Sequence, residues 1–273
     1  MEWFRVGNEE RKCIMVKGLE HFKDNFKGIA DAFIIVGAAA CAESFRRAKM
    51  DFRVTKGIDI VLTQKSKEKT FASQFCKYVN KGGYQLRERT DEKKGVFRFY
   101  KPQDPDFPDS LKLSPSPETT FKAIDDKDVV YIHIRDNVSN LSTALASKDY
   151  LDVLNAYKEK DDSGLFYVGP VGLLLLKAKA YLNLSTDRYD GKFVKSSDIK
   201  KHRNDVFRLS YLLSGKFKGT LSDKVRTDLL EFLKTFSEQS PEWQGIQRAL
   251  TDSAFPEKSP HDIIGGMKTY FGL

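Results

Sequence analysis

AFIIVGAAACAESFRRAKMDFRVTKGIDIVLTQ, Ala32 to Gln64, is the stretch that decides the fold. An apolar run, Phe33 to Val36, ends at Gly37, a residue that lets the backbone bend sharply. Ala38 to Lys49 follows and is rich in Ala, a strong helix former. A second apolar run, Ile58 to Leu62, then carries one carboxylate, Asp59, between Ile58 and Ile60. The order is strand, glycine turn, helix, and strand with an inward acid. Alternate residues of a strand share a face, so residues 57 and 59 point the same way. The pair here is Gly57 and Asp59, one bare position and one acid.

Outward from this stretch the front half keeps an α/β texture. Lys17 to Lys27 reads as a helix, with Leu19, Phe22 and Phe26 at helical spacing. The first strand is expected over Ala30 to Val36 and the second over Ile58 to Thr63. Lys67 to Asn80 reads as a helix with Phe71, Phe75 and Tyr78 on one face, stopped by Gly82 and Gly83. Val96 to Tyr100, Ser110 to Leu113 and Val129 to Ile134 read as strands. Leu151 to Tyr157 and Leu165 to Val168 are expected to form a further strand pair.

After Pro170 the pattern becomes helical. The expected helices are Val171 to Leu184, Ser197 to Ser214 (capped by Ser197 or Asp198), Ser222 to Ser237, Pro241 to Leu250 and His261 to Phe271. The expectation is therefore an α+β chain in which a mixed sheet with flanking helices, residues 1–168, precedes a helical bundle, residues 169–273.

Bulk properties narrow the function. The 273 residues are 40% hydrophobic and 12% aromatic, enough for a substantial core. No run of about 18 apolar residues exists, so no membrane-crossing helix and no membrane partner is expected. The opening MEWFRVGNEERKC has three acids and no apolar region, so a secretory leader is not expected. Cys13, Cys41 and Cys76 read as reduced thiols of a cytoplasmic protein, without the spacing of a zinc site. The net charge of +8 fits a polyanionic partner, nucleic acid or nucleotide, and equally fits a solvated basic surface.

The glycine turn, the Asp59 strand and two later helical segments together resemble the nucleotidyltransferase fold, and more narrowly the AbiE-type toxin nucleotidyltransferases of bacteria. The later segments are PVGLLLLKAKAYLNL, with Lys177 and Ala180, and VKSSDIKKHRNDVFRLSYLL, with Lys201, His202, Asp205, Val206 and Leu209. The resemblance covers roughly residues 18 to 214. It implies that Asp59 binds Mg²⁺ and that Gly37, Ala38 and the following helix N-terminus hold the phosphates of a nucleoside triphosphate. It implies that Lys177 neutralises the triphosphate and that Asp205 orients that lysine or acts as a base. Arg53 and Lys56 would lie beside the site, toward an RNA backbone. RNA is then the expected acceptor, a protein acceptor the variant of it, and a cognate antitoxin protein the expected partner.

The chain departs from the family at three places. Gly57 stands where a first carboxylate belongs, Ala38 and Ala39 replace the usual glycine or serine and the hydroxyl, and Lys112 stands where another strand supplies an acid. Each residue also has a plainer reading. Asp59 can be a strand-end acid satisfied by backbone or Lys56, Gly37 a packing glycine, Asp205 an ion-pair partner of Lys201, and His202 a surface residue. Two functions follow: a metal-dependent transferase, or a transferase-like fold that has lost catalysis and binds nucleic acid, nucleotide or a partner protein. A generic interaction protein is the third.

Overall fold

The computed structural model describes residues 16–63, 67–86, 97–115, 122–124, 129–131, 144–145, 147–236, 239–252 and 255–273. Cys13 and positions 132–134 of the expected strand lie outside these residues. Nine strands are described: β1 (Phe33–Val36), β2 (Gly57–Leu62), β3 (Gln85–Leu86), β4 (Phe97–Tyr100), β5 (Ser110–Pro115), β6 (Lys122–Ile124), β7 (Val129–Tyr131), β8 (Lys158–Lys160) and β9 (Phe166–Val168). Seven of them build one sheet in the order β3-β4-β5-β2-β1-β9-β8, and β6 and β7 form a separate antiparallel pair. The sheet is mixed: β2 runs antiparallel to β1 and parallel to β5, while β9 runs parallel to β1.

The α-helices are α1 (Leu19–Phe26), α2 (Gly37–Arg47), α3 (Glu68–Lys81), α4 (Lys148–Ala156), α5 (Pro170–Tyr189), α6 (Ser196–Leu209), α7 (Asp223–Lys234), α8 (Trp243–Thr251) and α9 (Pro260–Phe271). The architecture is α+β, a mixed sheet with flanking helices followed by a helical bundle. One continuous buried core runs from Val16 of the sheet half to Phe271 of the bundle, so the two halves are packed on each other.

Strand alternation decides which face becomes core. Ile58 and Ile60 pair in register with Leu111 and Leu113, and all four are fully buried. This face is covered by aromatic side chains of α1 and α3. Phe22 and Phe26 stack on each other and meet Phe33 edge-on, while Phe71 and Phe75 continue the layer to Phe99. Each such buried ring contributes about 1.5–3 kcal/mol. The other face is polar at its centre. Arg98, Lys112 and Asp59 form one row across β4, β5 and β2, and Val36 continues it on β1.

Three sequence expectations are corrected here. Residues 148–156 are helical and not a strand. Tyr150, Leu151, Val153 and Leu154 are buried at helical spacing, and Tyr150 Oη donates to Asp228 Oδ2 of α7 at 2.8 Å. Lys179 Nζ of α5 binds the other oxygen of Asp228 at 2.8 Å, which ties three helices together. The partner strand of β9 is instead Lys158–Lys160, a fully exposed edge strand. Charged side chains suit an edge because they discourage further pairing. Residues 27–32 form a 3₁₀ turn, so β1 starts at Phe33, and Asp31 is left to pair with Lys67. Finally, α6 begins after Lys195 without a side-chain cap from Ser197 or Asp198, and residues 210–212 are 3₁₀.

Candidate functional site

The candidate site lies where the polar row of the sheet meets α2 and the Lys177 and Asp205 side chains of α5 and α6. Gly37 opens α2 with φ +70°, a left-handed conformation that costs any other residue. It also faces Asp59 closely: a Cβ on Gly37 would lie 2.3 Å from Asp59 Oδ2. The structure thus places the glycine turn and the acid of the neighbouring strand directly together. A carboxylate beside a helix N-terminus is electrostatically favourable, because the first-turn N–H groups carry partial positive charge. Ala38 and Ala39 belong to that first turn and are buried, with no side-chain cap at the helix start.

Lys177 and Asp205 also come together. Lys177 Nζ of α5 donates to Asp205 Oδ2 of α6 at 2.8 Å, and both side chains are buried. Arg53, from the loop before β2, donates to both Asp205 oxygens at 3.1 and 3.4 Å. Arg208 Nη1 reaches Oδ1 at 3.4 Å. Burial alone would raise the Asp205 pKa, but Lys177 and Arg53 outweigh it and hold the carboxyl well below its usual range. Burial alone would likewise lower the Lys177 pKa, and Asp205 reverses this so that it rises. Asp205 therefore stays ionised with its oxygens committed to three cations. That geometry orients Lys177 and makes Asp205 a poor proton acceptor. Asp205 forms this network rather than an ion pair with Lys201.

Cys41 of α2 lies beside the same network. Burial pushes its thiol up to about 11, with Lys177 pulling the other way, so it stays protonated.

The link between the two groups is a set of further cations. Lys112 stands in register with Asp59 on one side and Arg98 on the other. Its pKa is lowered by burial first, then by the charges of Arg98, Lys177 and Lys201, while Asp59 opposes the shift. Lys201 is acted on by Arg53, Lys177, Asp205 and Asp59 together, so the two carboxylates share one electrostatic neighbourhood.

Two expected residues behave differently. Lys56 is not drawn into the cleft. Its place in the strand alternation is opposite to that of Asp59, it is exposed, and its nearest acid is Asp109 at 4.0 Å. His202 is not a surface residue. Its ring is largely enclosed, and Nδ1 is buried without a hydrogen-bond partner among the described residues. Burial pushes its pKa down to about 3, and the Lys177 charge adds to the shift. The imidazole is therefore neutral. Arg53 lies beside the site but binds Asp205, a contact across 152 residues that no local pattern announces.

The donor set does not fit Mg²⁺. That ion demands near-octahedral oxygen coordination. Among the described residues no group of three or more His, Cys, Asp or Glu side chains could hold a metal ion. Asp59 is the one acid of its row, and Lys112 stands beside it. A dication at Asp59 would also meet the Lys112 side chain, which lies in register beside it.

No family model matches the chain, and no curated protein matches it in sequence. Among solved structures it is similar to the crystal structure of an antigenic nucleotidyltransferase-like protein from Paracoccidioides brasiliensis. The likeness covers 84% of this chain and 93% of that one, at 14% identity and a TM-score of 0.38. The functional reading therefore rests on the geometry of the cleft itself.

Proposed function

We propose that this chain is a nucleotidyltransferase-like protein that takes the phosphates of a nucleoside triphosphate in the cleft between sheet and helices. The observation that supports it is the approach of Gly37 to Asp59 at the start of α2, facing Lys112, Lys177 and Lys201. The N-terminus of α2 favours phosphate oxygens, while the space over Gly37 itself is taken by the Asp59 carboxylate. The lysines add charge on the other side. Catalysis is impaired in this reading. Gly57 offers no carboxylate, Lys112 occupies the place of another, and Asp205 is held by cations.

The competing reading is an active metal-dependent transferase, in which an acceptor oxygen attacks the α-phosphorus and pyrophosphate leaves. Incubation with labelled nucleoside triphosphates, Mg²⁺ and total RNA, at low salt, separates the two. The impaired reading expects bound nucleotide without labelled RNA, labelled protein or released pyrophosphate. Transfer that Asp59→Ala abolishes would establish the active one. Membership of the AbiE-type toxins, with an antitoxin protein as partner, rests on the sequence resemblance. It is tested by expressing the chain with and without its neighbouring gene product and scoring growth.

A further inference from the structure

The row Arg98–Lys112–Asp59 has the charge of an anion site, not of a metal site. We propose that the cleft binds nucleotide phosphates without a divalent metal, the Lys112 ammonium standing where the metal would and bridging Asp59 to the phosphate. This rests on the nucleotide reading above and deepens it.

Three observations carry the inference. First, Asp59 has no second carboxylate to share a metal with. On its own strand face the next position is Gly57, and the space over Gly57 is filled by Ser110 Oγ, 2.2 Å from where a Cβ would be. The other acid of the cleft, Asp205, has its two oxygens held by Lys177, Arg53 and Arg208.

Second, Lys112 comes from the strand parallel to β2 and lies in register with Asp59, so its side chain shares that face. A lysine is a compact point charge on a flexible stem, suited to follow phosphate oxygens. Lys177 and Lys201 act on the same point from the helices. Arg53 adds a further cation near the two carboxylates of the site. In metal-assisted sites the ion offsets the phosphate charge. Here the fixed cations already do so, and Asp59 opposes the burial and the like charges that lower the Lys112 pKa.

Third, His202 Nδ1 is a buried polar atom without a partner among the described residues, within reach of the same lysines. A buried polar atom of this kind calls for a partner such as a ligand or water. A neutral imidazole can give or accept one hydrogen bond there.

The test is binding of fluorescently labelled ATP and GTP to the full chain, in EDTA and in MgCl₂, with inorganic tripolyphosphate and adenosine as competitors. Expected is binding in EDTA at least as tight as in MgCl₂, displaced by tripolyphosphate and not by adenosine. Lys112→Gln should weaken it about tenfold or more, as should the exposed-site variant Lys201→Gln to a lesser degree. Lys112→Glu sets a second carboxylate beside Asp59 in register. It should lose binding in EDTA and recover part of it in MgCl₂. Thermal melting of each variant, run first, confirms that the fold is kept. If wild type binds only in MgCl₂, or Lys112→Gln binds in EDTA as tightly as wild type, the metal-free site is overturned while the nucleotide reading stands. If a folded wild type binds neither nucleotide in either condition, the nucleotide reading itself fails.

Discussion

Ser110 Oγ occupies the space that a side chain on Gly57 would enter: a Cβ there would lie 2.2 Å from the hydroxyl oxygen and 3.1 Å from the Ser110 carbonyl oxygen. Replacing the missing acid is thus a packing problem as well as a charge problem. Gly57→Asp should cost about 1–3 kcal/mol, the usual range for overpacking. Gly57→Asp combined with Ser110→Gly should be more stable than Gly57→Asp alone, because the hydroxyl is gone. Urea midpoints at constant slope measure both. A Gly57→Asp chain as stable as wild type would show that Ser110 simply rotates away.

Gly37 offers a cleaner contrast. Its φ of +70° and the 2.3 Å approach to Asp59 penalise any side chain twice. Gly191 has φ +79° with nothing within 4 Å, so a side chain there meets the backbone cost alone. Gly191→Ala should cost about 1–2 kcal/mol. Gly37→Ala should cost about 2 kcal/mol more, from overlap with Asp59. In melting temperature the extra loss is roughly 4–8 °C. Equal losses in the two variants would mean that Asp59 yields freely.

The decisive half of this geometry was legible from residue order. Phe33–Val36, Gly37 and Asp59 sit within one strand–helix–strand segment, where an apolar run, a glycine and a strand acid each have a local signature. The aromatic layer was legible too, since Phe22, Phe26, Phe71 and Phe75 recur at helical spacing. What stayed hidden depended on contacts distant in sequence. Nothing near Arg53 announces Asp205, and the strand Lys158–Lys160 has no apolar residue to mark it. Leu151 to Tyr157 reads as a strand because Tyr, Leu and Val suit strands as well as helices, while burial against α5 and α7 makes 148–156 a helix. His202 reads as exposed because it lies among Lys200, Lys201 and Arg203 on a charged stretch, yet its Nδ1 is buried.

The Asp205 network predicts an asymmetry. Asp205→Asn leaves Lys177, Arg53 and Arg208 facing one another without a counter-charge. Loss of one partner of a buried pair costs about 3–5 kcal/mol. Lys177→Met removes one donor of comparable length, and Asp205 keeps two guanidinium partners. The loss should be about 1.5–3 kcal/mol, the worth of a charged hydrogen bond. Chemical denaturation ranks the two. The network account fails if Lys177→Met proves the more damaging change.

His202 predicts the pH dependence. Burial first, then the charges of Lys177, Lys201 and Lys112 with Asp205 opposing, take its pKa from 6.5 down to about 3. The unfolded chain therefore binds a proton at this position between those two values while the folded chain does not. Stability then rises with pH across that window and is lost as pH falls from about 6.5, by at most about 1.4 kcal/mol per pH unit. Asp205 adds a loss of the same sign only lower down, once pH drops below the ordinary carboxylate pKa and the unfolded carboxyl protonates. Urea denaturation between pH 7 and about pH 5.5 isolates the histidine, because carboxylates, with ordinary pKa values near 4, stay ionised there. Wild type should lose stability steadily across this range. His202→Gln keeps a hydrogen-bonding side chain of similar reach but cannot titrate, so its profile should be nearly flat. An unchanged slope in His202→Gln would assign the acid sensitivity to some other group and leave the ring of His202 charged or open to solvent.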